Sequence, residues 1–225
     1  MAQSQSMNLR PFYIALGVVA VAGGAWIFSA RPGSRTVTLD LPAAVGAEAF
    51  AGYVMGSDSA LVEIVEYADF QCPACASFAI LTAPDVKRHL VNSGRVRWRF
   101  KDFPLPAHDK SPLAHLAAAC AGEQGRFWAM HDQLFYNQGT WIRSRKTARL
   151  FEGYAGTIGL DMKQYDQCMD DQRYVERIAA TKNEAAAAGI SSTPTFLVGD
   201  QLIAGAVSLK RLVELVERAE AAARQ

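Results

Sequence analysis

The feature that most constrains the fold is a pair of cysteines, Cys72 and Cys75, at the start of a helical pattern. The segment before them, 61–67, is almost continuously apolar, which is typical of an interior strand of a sheet. In a helix that begins at this pair, only the first cysteine would present its sulfur to solvent, near the positive end of the helix dipole. That position favours the thiolate, which is the form of cysteine that attacks disulfides. The motif therefore predicts redox chemistry on thiols.

An acidic residue lies beneath the predicted helix. Strand alternation places Glu66 on the same face as Val62, six residues before Cys72. Burial raises the pKa of a carboxyl group, and such a group can accept the proton of a buried thiol, here that of Cys75. A solvated glutamate at a strand end is the alternative. Lys101, on the next predicted strand, is a candidate counter-charge.

The remaining pattern gives the order β-α-β, a helical block, then β-β-α. Charged and apolar residues alternate over 95–103, which predicts a second strand. From 104 to 189 apolar residues recur at helical spacing, which predicts an insertion of three to five helices, the last over 166–188. A hairpin over 195–204 and an amphipathic helix capped by Ser208 complete the order.

The amino-terminal segment predicts export. Residues 11–30 carry no charge and are flanked by arginines, and this length spans the hydrocarbon core of a bilayer. We interpret the segment as an uncleaved anchor, with a cleaved signal peptide as the alternative. Four cysteines in an exported chain fit an oxidising compartment. We expect a single-pass protein of the cytoplasmic membrane with its catalytic domain on the periplasmic side, or a periplasmic or secreted protein if the segment is cleaved.

Composition and motifs argue against several other classes of protein. Lys plus Arg number 23 and Asp plus Glu number 22, so net charge gives no indication of nucleic-acid binding. The sequence has no phosphate-binding loop and no nucleotide fingerprint. Its four histidines lack the spacing of metal ligands, and we expect no metal and no cofactor.

Three segments resemble a known family: 66–75 (EYADFQCPAC), 125–132 (GRFWAMHD) and 189–196 (GISSTPTF). In this order they resemble the DsbA-like thiol–disulfide oxidoreductases of the thioredoxin superfamily, over about residues 58–220. The resemblance implies an α/β thioredoxin fold with a helical domain inserted between its β-α-β and β-β-α halves, preceded here by one transmembrane helix. The expected bounds are 1–31 for the anchor or signal sequence, 32–57 for a tether, 58–106 for the first half, 107–189 for the insertion and 190–225 for the second half.

The resemblance also implies roles for individual residues. Cys72 would be the nucleophile and Cys75 its partner in a redox-active disulfide. In the family the proline of the Thr-Pro pair is cis and lies against the cysteines, so Pro194 is expected there, with Thr193 pairing with an extended substrate peptide. Ala74 replaces the histidine of the best-known member, which removes one stabiliser of the thiolate and predicts a milder oxidant.

The two remaining cysteines, Cys120 and Cys168, fall in two predicted helices of the insertion. We interpret them as a structural disulfide, and some relatives also pair cysteines in the helical domain. Two buried free thiols and a second redox pair are the alternatives.

We therefore expect an enzyme that exchanges the Cys72–Cys75 disulfide with cysteines of exported proteins, as the oxidant during folding. The resemblance implies re-oxidation by a quinone-linked integral membrane partner, and we expect a monomer. One alternative is a disulfide isomerase or reductase kept reduced by a different donor. Another, from a different class, is a non-catalytic periplasmic chaperone or metal-carrier module.

Overall fold

A computed structural model describes residues 39, 41 and 50–224. Its five strands form one mixed sheet in the order β1-β3-β2-β4-β5, in which only β2 and β3 run parallel. The predicted membrane anchor, 1–31, lies outside the described residues. Among the residues that are described, no helix has the length and hydropathy needed to cross a membrane. The strands are β1 Tyr53–Met55, β2 Val62–Ala68, β3 Val96–Asp102, β4 Thr195–Val198 and β5 Gln201–Ala204.

Helices cover the sheet and form the insertion. The helix predicted to begin at the cysteine pair is broken at Thr82, two residues before Pro84. The helix predicted over 166–188 is two helices, because Gln172, at φ 49°, turns the chain. The insertion, α3 to α8 within the described chain, therefore has six helices instead of three to five. The helices are α1 Pro73–Leu81, α2 Ala83–Val86, a π-helical turn Lys87–Val91, α3 Ser111–Glu123, α4 Phe127–Tyr136, α5 Gln138–Trp141, α6 Thr147–Thr157, α7 Met162–Asp170, α8 Val175–Ala187 and α9 Leu209–Ala223.

Strand β2 is the central strand of the sheet, and helices α1 and α9 pack against one of its faces. It pairs with β3 on one side and β4 on the other. Val62 and Ile64 are buried in one cluster with Phe78 of α1 and Leu212 of α9. The same face carries Glu66, as alternation predicts, so α1 is packed above that carboxyl group.

The predicted tether, 32–57, is wrong at its carboxyl end. Residues Tyr53–Met55 form β1, which pairs antiparallel with β3 at the edge of the sheet. Three residues are too few for alternation to indicate a strand. The glycine before β1 is required, because Gly52 has a φ of 115° and a Cβ there would lie 2.7 Å from the carbonyl oxygen of Phe100. Leu39 is also buried in the core, so packed residues occur well before position 58.

A disulfide joins two helices of the insertion. Cys120 of α3 and Cys168 of α7 are bonded, and both are fully buried. The bridge closes a loop of 48 residues, which restricts the unfolded chain more strongly than it restricts the folded one.

We expect the double variant C120A/C168A to lose about 3–4 kcal/mol of unfolding free energy, because the loop-closure entropy is no longer removed from the unfolded chain. Guanidinium denaturation under non-reducing conditions measures the loss. Wild-type protein denatured with excess dithiothreitol is the control and should approach the variant. Equal stability of oxidised wild type and variant would contradict a stabilising bridge.

Candidate active site

The two cysteines of the candidate site lie at the start of α1. Cys72 is the residue before the helix and Pro73 is its first residue, a position that suits proline because the first helical amide has no partner within the helix. The backbone N–H of Cys72 donates to the carbonyl of Asp69 at 3.0 Å, which fixes the loop before α1. Cys72 retains 6% exposure and Cys75 has none. The structure therefore gives the solvent-facing position to the first cysteine.

The loop that precedes β4 approaches the sulfur of Cys72. The peptide bond between Thr193 and Pro194 is cis, directly before β4. The carbonyl oxygen of Thr193 lies 3.3 Å from the sulfur of Cys72. The Thr193 hydroxyl is buried and has no hydrogen-bond partner in the described part of the chain. Thr193 and Pro194 are thus brought to the cysteines.

The sulfur of Cys72 is stabilised as a thiolate. Its pKa is lowered to about 5, chiefly because the Cys75 thiol donates a hydrogen bond to it. Thr193 and the backbone amides of Ala74 and Cys75 lower it further and together outweigh burial, which raises it. At neutral pH Cys72 is therefore the charged member of the pair.

The sulfur of Cys75 is held as a thiol. Burial raises its pKa well above the usual 9, and the interaction with Cys72 raises it further. Two cysteines three residues apart thus have opposite protonation states. A dithiol with this arrangement can attack with one sulfur and later resolve the mixed disulfide with the other.

Glu66 lies buried beneath this pair. Burial raises its pKa to about 8, against the lowering effects of a hydrogen bond from the Trp98 indole at 3.1 Å and of the charge on Lys87. Lys101 was the expected counter-charge and that expectation is wrong. Lys101 is paired in register with Tyr67, on the other face of the sheet, and its ammonium binds Glu184 at 2.9 Å.

Sequence reasoning missed several residues that surround the site. Gln138 of α5 donates its side-chain amide to the carbonyls of Phe70 and Cys72, at 2.8 and 3.0 Å, and so supports the loop from the insertion side. Asp69 and His108 form a 2.6 Å pair beside the same loop. Asp69 lies within the first motif, but His108 and Gln138 come from segments distant in sequence. No local pattern indicates that they contact this loop.

Within 39, 41 and 50–224, no group of three or more His, Cys, Asp or Glu side chains is arranged to hold a metal ion.

Comparison with known proteins places the chain in a family. The family described as Thioredoxin matches residues 49–218. The Na(+)/H(+) antiporter NhaA 1 of Salinispora arenicola is 34% identical over 173 residues, which are 76% of this chain and 25% of the antiporter. The probable disulfide bond formation protein D of Bacillus anthracis is 25% identical over 158 residues, which are 66% of this chain and 70% of that protein. The chain spans about a quarter of the length of the antiporters it matches.

Solved structures agree on the fold. The alpha-DsbA1 structure of Wolbachia pipientis superposes with a TM-score of 0.69 and 19% identity, covering 81% of this chain and 98% of that one. The chain belongs to the thioredoxin family, and its described part has the DsbA-like form of that fold, with the helical insertion between the two halves.

We expect Glu66→Gln to stabilise the protein at neutral pH by about 3 kcal/mol. The pKa of Glu66 is about 8 in the folded protein against an ordinary 4.5, so the folded state holds the proton more tightly. Wild type should therefore lose stability relative to E66Q as the pH rises from about 4.5 to about 8. Urea denaturation across this range measures the difference.

Glu63→Gln is the matched control, because Glu63 lies on the opposite face of the same strand. Burial raises the pKa of Glu63, but its hydrogen bonds and charge interactions with Arg99 and Arg97 outweigh burial and lower it. E63Q should therefore be less stable than wild type at neutral pH. A stability difference between E66Q and wild type that does not change with pH would contradict a buried, neutral Glu66.

Proposed function

We propose that this protein is a thiol–disulfide oxidoreductase that donates the Cys72–Cys75 disulfide to cysteines of other proteins. The observation that carries the proposal is the contrast between the two sulfurs, a thiolate with a pKa of about 5 beside a buried thiol. Membership of the thioredoxin family and the relative from Bacillus anthracis, a probable disulfide bond formation protein, support it.

The oxidising half-reaction begins with the disulfide form. One deprotonated substrate thiol attacks the sulfur of Cys72, a new substrate–Cys72 bond forms and the Cys72–Cys75 bond breaks. The departing electron pair goes to Cys75, which takes the proton of Glu66. A carboxyl group with a pKa of about 8 is largely protonated at neutral pH and can supply that proton.

The second half completes the exchange. The other substrate thiolate attacks the substrate sulfur of the mixed disulfide, so the substrate disulfide forms and Cys72 leaves as a thiolate. Two electrons pass from the substrate dithiol to the protein, and Glu66 regains a proton from solvent. The low pKa of Cys72 makes it a good leaving group and favours the reduced protein, which is the property of an oxidant.

The same stabilisation supports the oxidising direction of electron flow. A nucleophilic cysteine with a pKa of about 5 lies between those of thioredoxin, near 7, and DsbA, near 3.5. This supports an oxidant milder than DsbA, in keeping with Ala74 between the cysteines.

We propose that the domain lies on the periplasmic side of the membrane and acts as a monomer on exported proteins. A quinone-linked membrane protein would be the oxidant that restores the disulfide.

The site also fits an extended peptide substrate. The backbone of Thr193 reaches the sulfur of Cys72, and a peptide laid alongside it could pair with that backbone as an added strand. We propose that Thr193 and Pro194 position the substrate cysteine in this way.

We expect Cys72→Ser to abolish oxidation of a dithiol peptide by the full-length chain, because the attacked sulfur is gone. Cys75→Ser should instead accumulate a stable mixed disulfide when presented with a peptide disulfide, because no second thiol resolves it. Both products are measured by thiol titration and intact mass. The matched control is C120A/C168A, which should keep dithiol oxidation. Oxidation at the wild-type rate by C72S would contradict the proposal.

A further inference from the structure

The loop that carries His108 is tied to the active-site loop through a buried carboxylate. Asp69, which is fully buried, accepts hydrogen bonds from the backbone amides of Gln71 and Leu105, at 2.7 and 2.8 Å. It also accepts from the ring of His108 at 2.6 Å and from the Ser111 hydroxyl at 2.5 Å. Burial raises the pKa of Asp69, but these bonds outweigh burial and lower it, so the group is ionised.

A second set of bonds holds the same two loops in register. The side-chain amide of Gln71, the residue immediately before Cys72, donates to Asp109 at 3.1 Å, and its carbonyl accepts from the backbone of Lys110 at 2.8 Å. Residues on both sides of His108 are therefore fixed to the residues just before the active-site sulfur. A histidine ring in this loop has its orientation set from Asp69 and little freedom to turn away.

The charge of the ring follows from its partner. An ionised carboxylate can only accept, so Nδ1 of His108 donates to Asp69 and the second proton of an imidazolium resides on Nε2. The hydrogen bond that His108 donates to Asp69 raises the pKa of His108 above its usual 6.5 and outweighs burial, which lowers it; the negative charge of Cys72 raises it as well. The attraction between the two charges is mutual, so an imidazolium at His108 favours the thiolate in addition to the hydrogen bonds that dominate the pKa of Cys72.

We propose that His108, oriented by Asp69, supplies the positive charge that stabilises the reduced Cys72 sulfur. The dipeptide between the cysteines, Pro73-Ala74, carries no charged side chain. The thiolate exists only in the reduced protein, so the imidazolium favours that state and makes the disulfide a stronger oxidant. This inference rests on the proposed function and identifies a group that sets the oxidising strength of the disulfide. Asp69 acts as a positioning residue for His108.

The other charged groups around His108 set the pH dependence. Asp69 and Asp109 act on it from the two loops, and Lys182 of α8 lines the same groove of about 330 Å³. The stabilisation is present while His108 is protonated and is lost as the pH rises through its pKa, which is raised. The effect of removing His108 should therefore be largest in mildly acidic solution and fade in alkaline solution.

The test uses His108→Gln in the full-length chain, since glutamine can still donate to Asp69 but carries no charge. The pKa of Cys72, from thiolate absorbance at 240 nm, should rise by about 0.5–1 unit. The equilibrium constant with glutathione should shift by about three- to tenfold toward the disulfide, or about 15–30 mV. The charged variant His108→Lys should stay close to wild type. His89→Gln, at an exposed histidine on the π-helical turn, is the matched control and should shift neither quantity.

The outcomes separate the two proposals. An unchanged Cys72 pKa in H108Q, or equal shifts in H108Q and H108K, would overturn the role of His108 and leave the oxidoreductase proposal standing. Failure of wild type to oxidise a dithiol would overturn the oxidoreductase proposal, while the thiolate titration would still test His108. A readout without any variant is the NMR titration of His108, which should show a higher pKa in the reduced protein than in the oxidised one. Equal values in the two states would overturn the inference.

Discussion

The hydrogen bond from the Cys75 thiol to the Cys72 sulfur sets the chemistry of this site. It exists because the first turn of α1 brings the two sulfurs together and because burial keeps the proton on the inner one. The same bond lowers the pKa of one cysteine and raises that of the other. Everything that holds α1 on the sheet therefore also maintains the difference in charge between the two sulfurs.

The scaffold supports this difference from three sides. Strand β2 places Glu66 below the sulfurs, as a buried carboxyl group whose pKa is raised to about 8. The loop before β4 brings Thr193 against Cys72. The insertion contributes from the third side, through the amide of Gln138. A helical domain between the two halves of the fold thus contributes directly to the geometry of the reacting pair.

Local signals in the sequence predicted the elements whose formation is local. Alternation along β2 located Glu66 on the buried face, and Ser208 does cap α9, where its side chain accepts from the backbone of Arg211. The hairpin of β4 and β5 was predicted from the turn residues between them. The cysteine pair was evident because its spacing has meaning within a single helical turn.

Several features that depend on partners distant in sequence were not predicted. Strand β1 is three residues long and exists because β3 offers it an edge. The four residues of α5 are too short for a helical period to be visible, although they carry Gln138. His108 was one of four histidines without ligand spacing, and its significance comes from a carboxylate 39 positions earlier in the chain. Lys101 was assigned to the wrong side of the sheet for the same reason.

The proposed chemistry requires that one sulfur is a thiolate at neutral pH while the other is a buried thiol. Titration of the reduced protein by thiolate absorbance, with C75S to assign the first transition, tests it most directly. One thiolate should appear with a pKa of about 5 and the second only above the ordinary value of 9. Two thiols that both titrate near 9 would contradict it.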